Sequence, residues 1–382
     1  MKAVLLFLSC FFVSVYSQCD KKPDVEVVCY WGSWSVYRKE NGKFATKDID
    51  IKSCTTIVYA FAGLNLDQKT TSLDTYKDVT LTGFANFTAL KEDNPCLTTI
   101  LAIGGWNEGS RKYSVMADSQ QLRQSFADSV LAFLAFYGFD GVDIDWEYPT
   151  TRGGIKEDGE NFISLLQDLK SRFKKYELKL SIAVSIDVDL INTAYLVPKL
   201  ADLVDNVNVM AYDYVTSNSN VTGLSSPLSK IKETIARWLQ AGLPSKKLFL
   251  GIPAYAKTFI LADKENTGIG APVTGEGDPG EYTQEAGLLA YYEVKSLMND
   301  PTEVATTVDD TNYFSFDKYW FTFDTPTTVK TKVNYAMEQK LGGIMFWALE
   351  LDDFNGDYGD KYPLLNAITD AITNYSPSNN NN

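Results

Sequence analysis

The stretch Gly138-Phe-Asp-Gly-Val-Asp-Ile-Asp-Trp-Glu-Tyr-Pro149 has the most informative strand pattern in the chain. Asp143, Asp145 and Glu147 are spaced by two residues, which places all three side chains on one face of a β-strand. The residues between them are large and apolar, so they are expected to pack in the core on the other face. The stretch therefore predicts a buried strand that carries a row of carboxyl groups.

Seven other apolar runs in the chain are rich in β-forming residues, and helical patterns separate them. In chain order the eight runs cover residues 25–29, 56–61, 98–103, 141–145, 178–184, 207–210, 248–252 and 343–347. Such near-continuous apolar runs are typical of strands that are buried on both faces of a parallel sheet. Eight β-then-α units predict an α/β protein with a closed (β/α)8 TIM barrel. An open doubly wound sheet is the alternative.

The chain is divided into one barrel, one insertion and two terminal segments. Residues 1–17 have a basic start and an apolar run, which predict a signal peptide and a secreted, extracellular protein; a membrane anchor is the alternative. The barrel is assigned to residues 18–254 and 334–375. A small α+β insertion, residues 255–333, is predicted between strands seven and eight, and the polar residues 376–382 are predicted to be disordered.

The composition excludes several classes of function. The formal net charge of −14 disfavours nucleic acid and anionic membranes as partners. The chain has no histidine, which excludes a Ser-His-Asp triad, a Cys-His pair and His-ligated zinc. Any acid/base chemistry must therefore depend on Asp, Glu, Lys, Tyr or Cys.

Three carboxyl groups on one face of a buried strand repel one another and are poorly solvated. This arrangement is typical of a cation site or of catalytic carboxyl groups with separated pKa values, and a solvated charge run is the third interpretation. The side chains line one row, and no other acidic cluster obviously completes an oxygen cage, so we expect no metal and no cofactor. Glu147 lies at the C-terminal edge of the strand, where the active sites of barrel enzymes are found.

The spacing Asp140-x-x-Asp143-x-Asp145-x-Glu147 resembles the DxxDxDxE signature of glycoside hydrolase family 18, the chitinases. The resemblance extends from about Val25 to about Thr373, through segments that are similar to family segments in the same order. These segments are Cys29-Tyr-Trp-Gly-Ser-Trp34, Ala102-Ile-Gly-Gly-Trp106, Met210-Ala-Tyr-Asp-Tyr214, Gly251-Ile-Pro-Ala-Tyr255 and Gly342-Gly-Ile-Met-Phe-Trp-Ala-Leu-Glu-Leu-Asp-Asp-Phe354.

The resemblance implies an endo-acting chitinase that hydrolyses β-1,4 linkages of chitin and N-acetylglucosamine oligomers with retention, assisted by the substrate's own acetamide group. It implies that Glu147 is the general acid and then the general base. Asp145 would accept a hydrogen bond from the acetamide N–H, and Asp143 would share a proton with Asp145. Tyr212 would hold the acetamide oxygen, and Asp140 would be structural.

The resemblance also implies a set of substrate-binding residues. They are Tyr30, Trp34, Trp106, Met210, Asp213, Tyr255 and Trp347. Trp347 would form the floor on which the reacting sugar stacks. Lys257 stands where the family often has arginine, and lysine cannot reproduce a bidentate contact. The expected partner is chitin or an N-acetylglucosamine oligosaccharide, and the protein is expected to be a monomer.

Four cysteines remain after the signal peptide, and they allow three disulfide connectivities. The resemblance implies a Cys29–Cys54 bond, and the pair Cys19–Cys96 then follows mostly by elimination. N-glycosylation is predicted at the sequons of Asn86, Asn220 and Asn374.

Two other functions fit the same fold. A chitinase-like lectin usually lacks a carboxylate of the signature, whereas this chain has all of them. An endo-β-N-acetylglucosaminidase would use the same residues, and the insertion favours chitin. The segment Gly275-Glu-Gly-Asp-Pro-Gly280 formally fits a nucleotide-binding motif, but it follows no clear strand and its carboxylates would repel phosphate.

Overall fold

The computed structural model describes residues 24–216, 218–298 and 305–376. The strands in these ranges are β1 (Glu26–Gly32), β2 (Thr56–Leu64), β3 (Thr70–Ser72), β4 (Thr98–Gly104), β5 (Gly141–Asp145), β6 (Lys179–Val184), β7 (Asn206–Val209), β8 (Leu248–Pro253), β9 (Tyr255–Leu261), β10 (Val273–Glu276), β11 (Leu288–Ala290), β12 (Thr306–Val308), β13 (Thr311–Phe316), β14 (Tyr319–Phe323) and β15 (Gly343–Trp347).

The α-helices in the same ranges lie between these strands. They are α1 (Gly83–Asp93), α2 (Arg111–Asp118), α3 (Gln120–Tyr137), α4 (Asp158–Phe173), α5 (Val188–Thr193), α6 (Val197–Leu200), α7 (Leu228–Gln240), α8 (Tyr291–Leu297), α9 (Pro326–Glu338) and α10 (Pro363–Asn374).

Eight parallel strands form a closed barrel. Their order is β1-β15-β8-β7-β6-β5-β4-β2, and the pairing of β1 with β2 closes the sheet. The prediction of a (β/α)8 barrel is confirmed, and each of the eight apolar runs overlaps one barrel strand. An open doubly wound sheet is excluded because β1 pairs with strands on both of its sides.

The helix α3 shows how the apolar spacing builds the layer outside the barrel. Phe126, Val130 and Leu134 are four residues apart, and all three side chains are buried. The helix ends at Gly138, which has a left-handed φ of 80° and donates its N–H to the carbonyl oxygen of Leu134. The chain then turns directly into β5, the strand with the acidic row.

A second, antiparallel sheet lies in the chain between β8 and β15. Its strand order is β10-β9-β14-β13-β12, and β11 pairs with β9. The helix α9 follows this sheet and leads to β15. The predicted division at residues 333 and 334 falls inside α9, so the limits of the insertion stay a prediction.

A disulfide bond joins Cys29 of β1 to Cys54, which precedes β2, as the family resemblance implied. Cys19, the signal peptide and residues 377–382 lie outside the described residues, so the second disulfide and both terminal predictions stay predictions. Among the helices of the described ranges, none is long and apolar enough to cross a membrane.

Candidate active site

The predicted acidic row lies at the C-terminal mouth of the barrel. Asp143 and Asp145 are on β5, and Glu147 follows two residues after the strand ends. Their side chains are buried, with residue exposures of 0%, 3% and 8%. All three side chains therefore lie in the protein interior, and Glu147 is the most exposed of them.

Asp143 is the deepest of the three carboxyl groups, and polar side chains from three other strands surround it. Its oxygens accept hydrogen bonds from the Tyr30 hydroxyl at 2.9 Å, from Ser181 Oγ at 2.6 Å and from Asn208 Nδ2 at 3.1 Å. Burial raises the pKa of Asp143, and these three hydrogen bonds oppose that rise. The three donors also fix the orientation of the carboxyl group.

Asp145 lies between the other two carboxyl groups and has an unused acceptor. Its Oδ1 is buried and has no hydrogen-bond partner within the part of the chain that the structure describes. Burial, and then the charges of Glu147 and Asp143, raise the pKa of Asp145 well above its ordinary value. No hydrogen bond joins Asp143 to Asp145 in the part of the chain that is described, so the sharing of a proton stays a prediction.

Glu147 carries the carboxyl group nearest to the open mouth. Burial raises its pKa to about 7; the positive charge of Arg152 opposes this rise and the negative charge of Asp213 adds to it. A carboxyl group with such a pKa is protonated in mildly acidic solution and can still lose its proton near neutrality. That is the requirement for a general acid that later becomes a general base.

The wall facing the acidic row comes from the segment after β7 and from β9. Asp213 Oδ1 accepts a hydrogen bond from the Tyr255 hydroxyl at 2.6 Å, and Lys257 Nζ lies 2.9 Å from Asp213 Oδ2. Among the described residues, the Tyr212 hydroxyl has a weak acceptor, Met345 Sδ at 3.8 Å. Burial raises the pKa of Tyr212 well above its ordinary value, with Asp213 as the next cause, so its hydroxyl remains a donor.

An aromatic floor lies beside the carboxyl groups, at the ends of β1, β2 and β15. The Trp347 ring lies 5.5 Å from Tyr30, 5.7 Å from Phe61 and 6.3 Å from Trp34, measured between ring centroids. Trp34 is 42% exposed and Trp347 is half-buried, so the floor is open on one side. Indole faces of this kind pack well against the C–H faces of sugars.

Close packing of β4 against β5 requires glycine at the mouth. A Cβ atom on Gly104 would lie 2.0 Å from the carbonyl oxygen of Asp145, and Gly104 has a φ of 126°. The neighbouring Gly105 donates its N–H to the same oxygen at 2.8 Å. The two glycines therefore allow the backbone of β4 to fix the position of Asp145.

Three predicted residues lie at the margins of this arrangement. Met210 is half-buried directly after β7, and Trp106 is 58% exposed after β4. Asp140 is at the opposite end of β5, where it contacts Lys91 Nζ at 2.7 Å and the N–H of Thr99 at 2.8 Å. The other predicted site residues lie together at the mouth.

Sequence reasoning missed Ser181, Asn208, Phe61 and Arg152. Ser181 and Asn208 are polar residues inside otherwise apolar strands, and both are buried. That interruption was a usable signal, because a buried polar side chain needs a partner. The contacts of Arg152 gave no such signal, since they depend on the conformation of the turn after Glu147.

The remaining predictions concern metal binding and glycosylation. Within residues 24–216, 218–298 and 305–376, no group of three or more His, Cys, Asp or Glu side chains could hold a metal ion. Asn86, Asn220 and Asn374 are exposed, and their glycosylation stays a prediction.

A (β/α)8 barrel with buried carboxyl groups at its C-terminal mouth and an open aromatic floor has the architecture of a glycoside hydrolase. The chain belongs to the glycosyl hydrolases family 18, whose profile matches residues 26–352. The family resemblance inferred from the sequence is therefore confirmed.

Known members of the family are similar along most of the chain. Mouse (Mus musculus) chitotriosidase-1 is 39% identical over 369 residues, which are 91% of this chain and 78% of the relative. The crystal structure of Ostrinia furnacalis Group IV chitinase in complex with allosamidin has a TM-score of 0.89 at 38% identity and covers 91% of this chain and 99% of that chain. Human YKL-39, a pseudo-chitinase with retained chitooligosaccharide binding, has a TM-score of 0.84 at 32% identity over 91% of this chain and 100% of its own.

Proposed function

We propose that this protein is a secreted, endo-acting chitinase that hydrolyses β-1,4 linkages between N-acetylglucosamine units with retention of configuration. The observation that carries the proposal is the pair formed by Glu147 and Asp145. Burial raises the pKa of Glu147 to about 7, and Asp145 beside it has a buried oxygen with no hydrogen-bond partner among the described residues. One group can deliver a proton, and the other can accept a hydrogen bond from the substrate.

The reaction begins with the protonated Glu147. It donates its proton to the glycosidic oxygen while the acetamide carbonyl oxygen of the substrate attacks its own anomeric carbon. The bond to the leaving sugar breaks, and an oxazolinium ion forms. The free oxygen of Asp145 accepts a hydrogen bond from the acetamide N–H and stabilises the positive charge of the oxazolinium ion. The Tyr212 hydroxyl donates a hydrogen bond to the acetamide oxygen.

The second step consumes water. The ionised Glu147 takes a proton from a water molecule, whose oxygen attacks the anomeric carbon and opens the oxazolinium ring. Two inversions at the same carbon give net retention. Glu147 is protonated again and ready for the next cycle.

Asp143 supports this chemistry from below, since its carboxyl group is next in the row and its negative charge contributes to the raised pKa of Asp145. Asp143 and Asp145 would titrate as a coupled pair during the cycle. Asp140 is proposed to be structural, because its contacts with Lys91 and Thr99 lie at the opposite end of β5.

The substrate would lie across the mouth of the barrel. Trp347 forms the floor under the reacting sugar, with the exposed Trp34 and Trp106 along the groove. Tyr30 is buried beneath the floor, where its ring contacts Trp347. Met210, Asp213 and Tyr255 would line the pocket for the acetamide side of that sugar. The Asp213–Lys257 ion pair occupies the charged edge of this wall.

Other features bear on the compartment of the protein and on whether it is catalytically active. The predicted signal peptide and the Cys29–Cys54 bond both suit an oxidising, extracellular compartment. The relatives include both a chitinase and a pseudo-chitinase that keeps chitooligosaccharide binding. The intact row from Asp143 to Glu147 favours the active type, with chitin or its oligosaccharides as the partner.

Aryl glycosides test the proposal. Purified protein should release the aryl group from N-acetylated chitobiose or chitotriose glycosides and should yield the β-anomer first. It should not act on a matched substrate whose reacting sugar has a free amine, because that sugar lacks the attacking carbonyl. No release at acidic or neutral pH, with oligosaccharide binding retained, would leave a lectin. Faster cleavage of a high-mannose glycoprotein would indicate an endo-β-N-acetylglucosaminidase.

A further inference from the structure

The turn that follows Glu147 has an unusual backbone. Thr150 has a φ of 71°, Arg152 has a φ of 51° and Gly153 has a φ of 94°. The left-handed region is unfavourable for residues other than glycine, and most of all for a β-branched residue such as threonine. Specific contacts must therefore stabilise this turn.

Asp158, the first residue of α4, supplies those contacts and is completely buried. Its Oδ2 accepts the N–H of Thr150 at 3.1 Å and the N–H of Ile155 at 2.8 Å. Its Oδ1 accepts a hydrogen bond from Ser114 Oγ at 2.7 Å. One buried carboxyl group thus ties both ends of the turn to the helix behind it.

This turn directs the side chain of Arg152 back toward the mouth of the barrel. Nη1 donates to the backbone oxygen of Glu147 at 2.9 Å, and Nη2 donates to the backbone oxygen of Trp106 at 2.9 Å. The guanidinium carbon lies 3.5 Å from the centre of the Trp106 ring. Arg152 therefore covers one face of an indole that is still 58% exposed.

We propose that Arg152 is a positioning residue that holds the Trp106 indole as a sugar-stacking platform next to Glu147, and so favours oligosaccharides long enough to reach Trp106. This inference rests on the proposed function. An exposed tryptophan without such a partner loses rotational freedom when a sugar binds. Immobilising one side chain on binding corresponds to roughly a two- to tenfold loss of affinity. Arg152 removes that loss because it orders the indole beforehand.

The proposal is tested by isothermal calorimetry with chitopentaose, in which every variant also carries Glu147→Gln so that the oligosaccharide is not hydrolysed. Steady-state kinetics with chitopentaose and an aryl chitobioside are measured on the same variants with Glu147 intact. The variants are Arg152→Ala, Arg152→Lys, Trp106→Ala and the double variant Arg152→Ala/Trp106→Ala. The matched control is Arg172→Ala, which removes a guanidinium group paired with Asp128 on the outer helices. Circular dichroism establishes that each variant is folded.

Arg152→Ala should weaken chitopentaose binding and raise its KM by roughly two- to tenfold, with a smaller effect on the aryl chitobioside. Arg152→Lys should recover part of the loss, because lysine keeps the charge without the paired donors. The double variant should bind like Trp106→Ala alone, because Arg152 acts through that ring.

Additive losses in the double variant, or an Arg152→Ala variant that matches Arg172→Ala, would overturn the inference. The calorimetry separates this failure from a failure of the proposed function. Native protein that binds chitopentaose without hydrolysing it would contradict the proposed function alone. Native protein that does not bind chitopentaose would contradict both.

Discussion

The Tyr30 hydroxyl donates a hydrogen bond of 2.9 Å to Asp143 Oδ2, although the two residues are 113 positions apart in the chain. Tyr30 comes from β1 and Asp143 from β5, so the bond crosses the interior of the barrel. Asn208 completes a triangle, because its Nδ2 lies 2.9 Å from the same hydroxyl and 3.1 Å from Asp143 Oδ1. The strand that carries the acidic row is thus held in place by a residue from across the barrel.

Removing that hydroxyl should slow the reaction. In Tyr30→Phe the ring and its contact with Trp347 remain, but Asp143 loses one of its three donors. Because a hydrogen bond to a charged group contributes about 1.5–3 kcal/mol, we expect kcat to fall about 10- to 100-fold while KM changes little. Tyr37→Phe is the control, since Tyr37 donates to Asp74 on the surface. Equal kinetics for the two variants would exclude this role for Tyr30.

The pH dependence of kcat/KM should show an alkaline limb near pH 7. The first step needs protonated Glu147, whose pKa is raised to about 7, so activity should decrease about tenfold for each pH unit above that value. Asp145, Asp213, Arg152 and Tyr148 all face this group, so the limb belongs to the coupled site. A limb centred near pH 4.5 would show that Glu147 titrates as an ordinary exposed carboxyl group.

The barrel strands could be predicted because a strand that is buried on both faces has a nearly continuous run of apolar residues. The alternation in the acidic strand even assigned its two faces, and Asp143, Asp145 and Glu147 are on the face that forms the site. The partners of Asp143 were not predictable in the same way. Ser181 and Asn208 interrupt apolar strands, but the residue each of them faces depends on how the barrel closes.

The turn after Glu147 shows a second limit. Thr150 and Arg152 adopt left-handed backbone without being glycine, so their sequence gives no sign of the conformation. The buried Asp158 imposes it through contacts that exist only after α4 has packed. The limits of the insertion stay a prediction for a related reason, because α9 is continuous across the predicted division.

Glu350 should make the fold less stable as the pH rises. It is fully buried three residues after Trp347, and its carboxyl group accepts a hydrogen bond from the N–H of Gly32 at 3.1 Å. Burial raises the pKa of Glu350 to about 7, although the positive charge of Arg38 lowers it. The folded state therefore binds this proton more tightly than the unfolded chain does. The stabilisation is complete at low pH and is lost as the pH rises through about 7.

The variant Glu350→Gln should remove this contribution. From about pH 5 to about pH 7.5 the unfolding free energy of the native protein should decline more than that of the variant. The difference between the two declines should be at most about 3 kcal/mol. Glu147 remains in both proteins, so the difference between the two urea-unfolding series isolates Glu350. Identical slopes would contradict the raised pKa.

The Cys29–Cys54 bond should stabilise the barrel where its first and second strands meet. The two cysteines are 25 residues apart, and closing a loop of that length contributes about 3.5 kcal/mol. The double variant Cys29→Ala/Cys54→Ala should therefore melt at a lower temperature than the native protein in thermal scans. The gap should close when both proteins are fully reduced; a gap that persists under reduction would point to lost packing instead of the lost crosslink.

The most direct test of the central claim is the pair of constants kcat and Kd for Glu147→Gln with a soluble chitooligosaccharide. The substitution keeps the shape of the side chain and removes its proton transfer. We predict that kcat falls by about a thousandfold relative to Glu233→Gln, an exposed control on α7, while the Kd of Glu147→Gln stays within about threefold of the KM of that control. Turnover by Glu147→Gln within about tenfold of the control would contradict the assignment of Glu147 as the general acid and base.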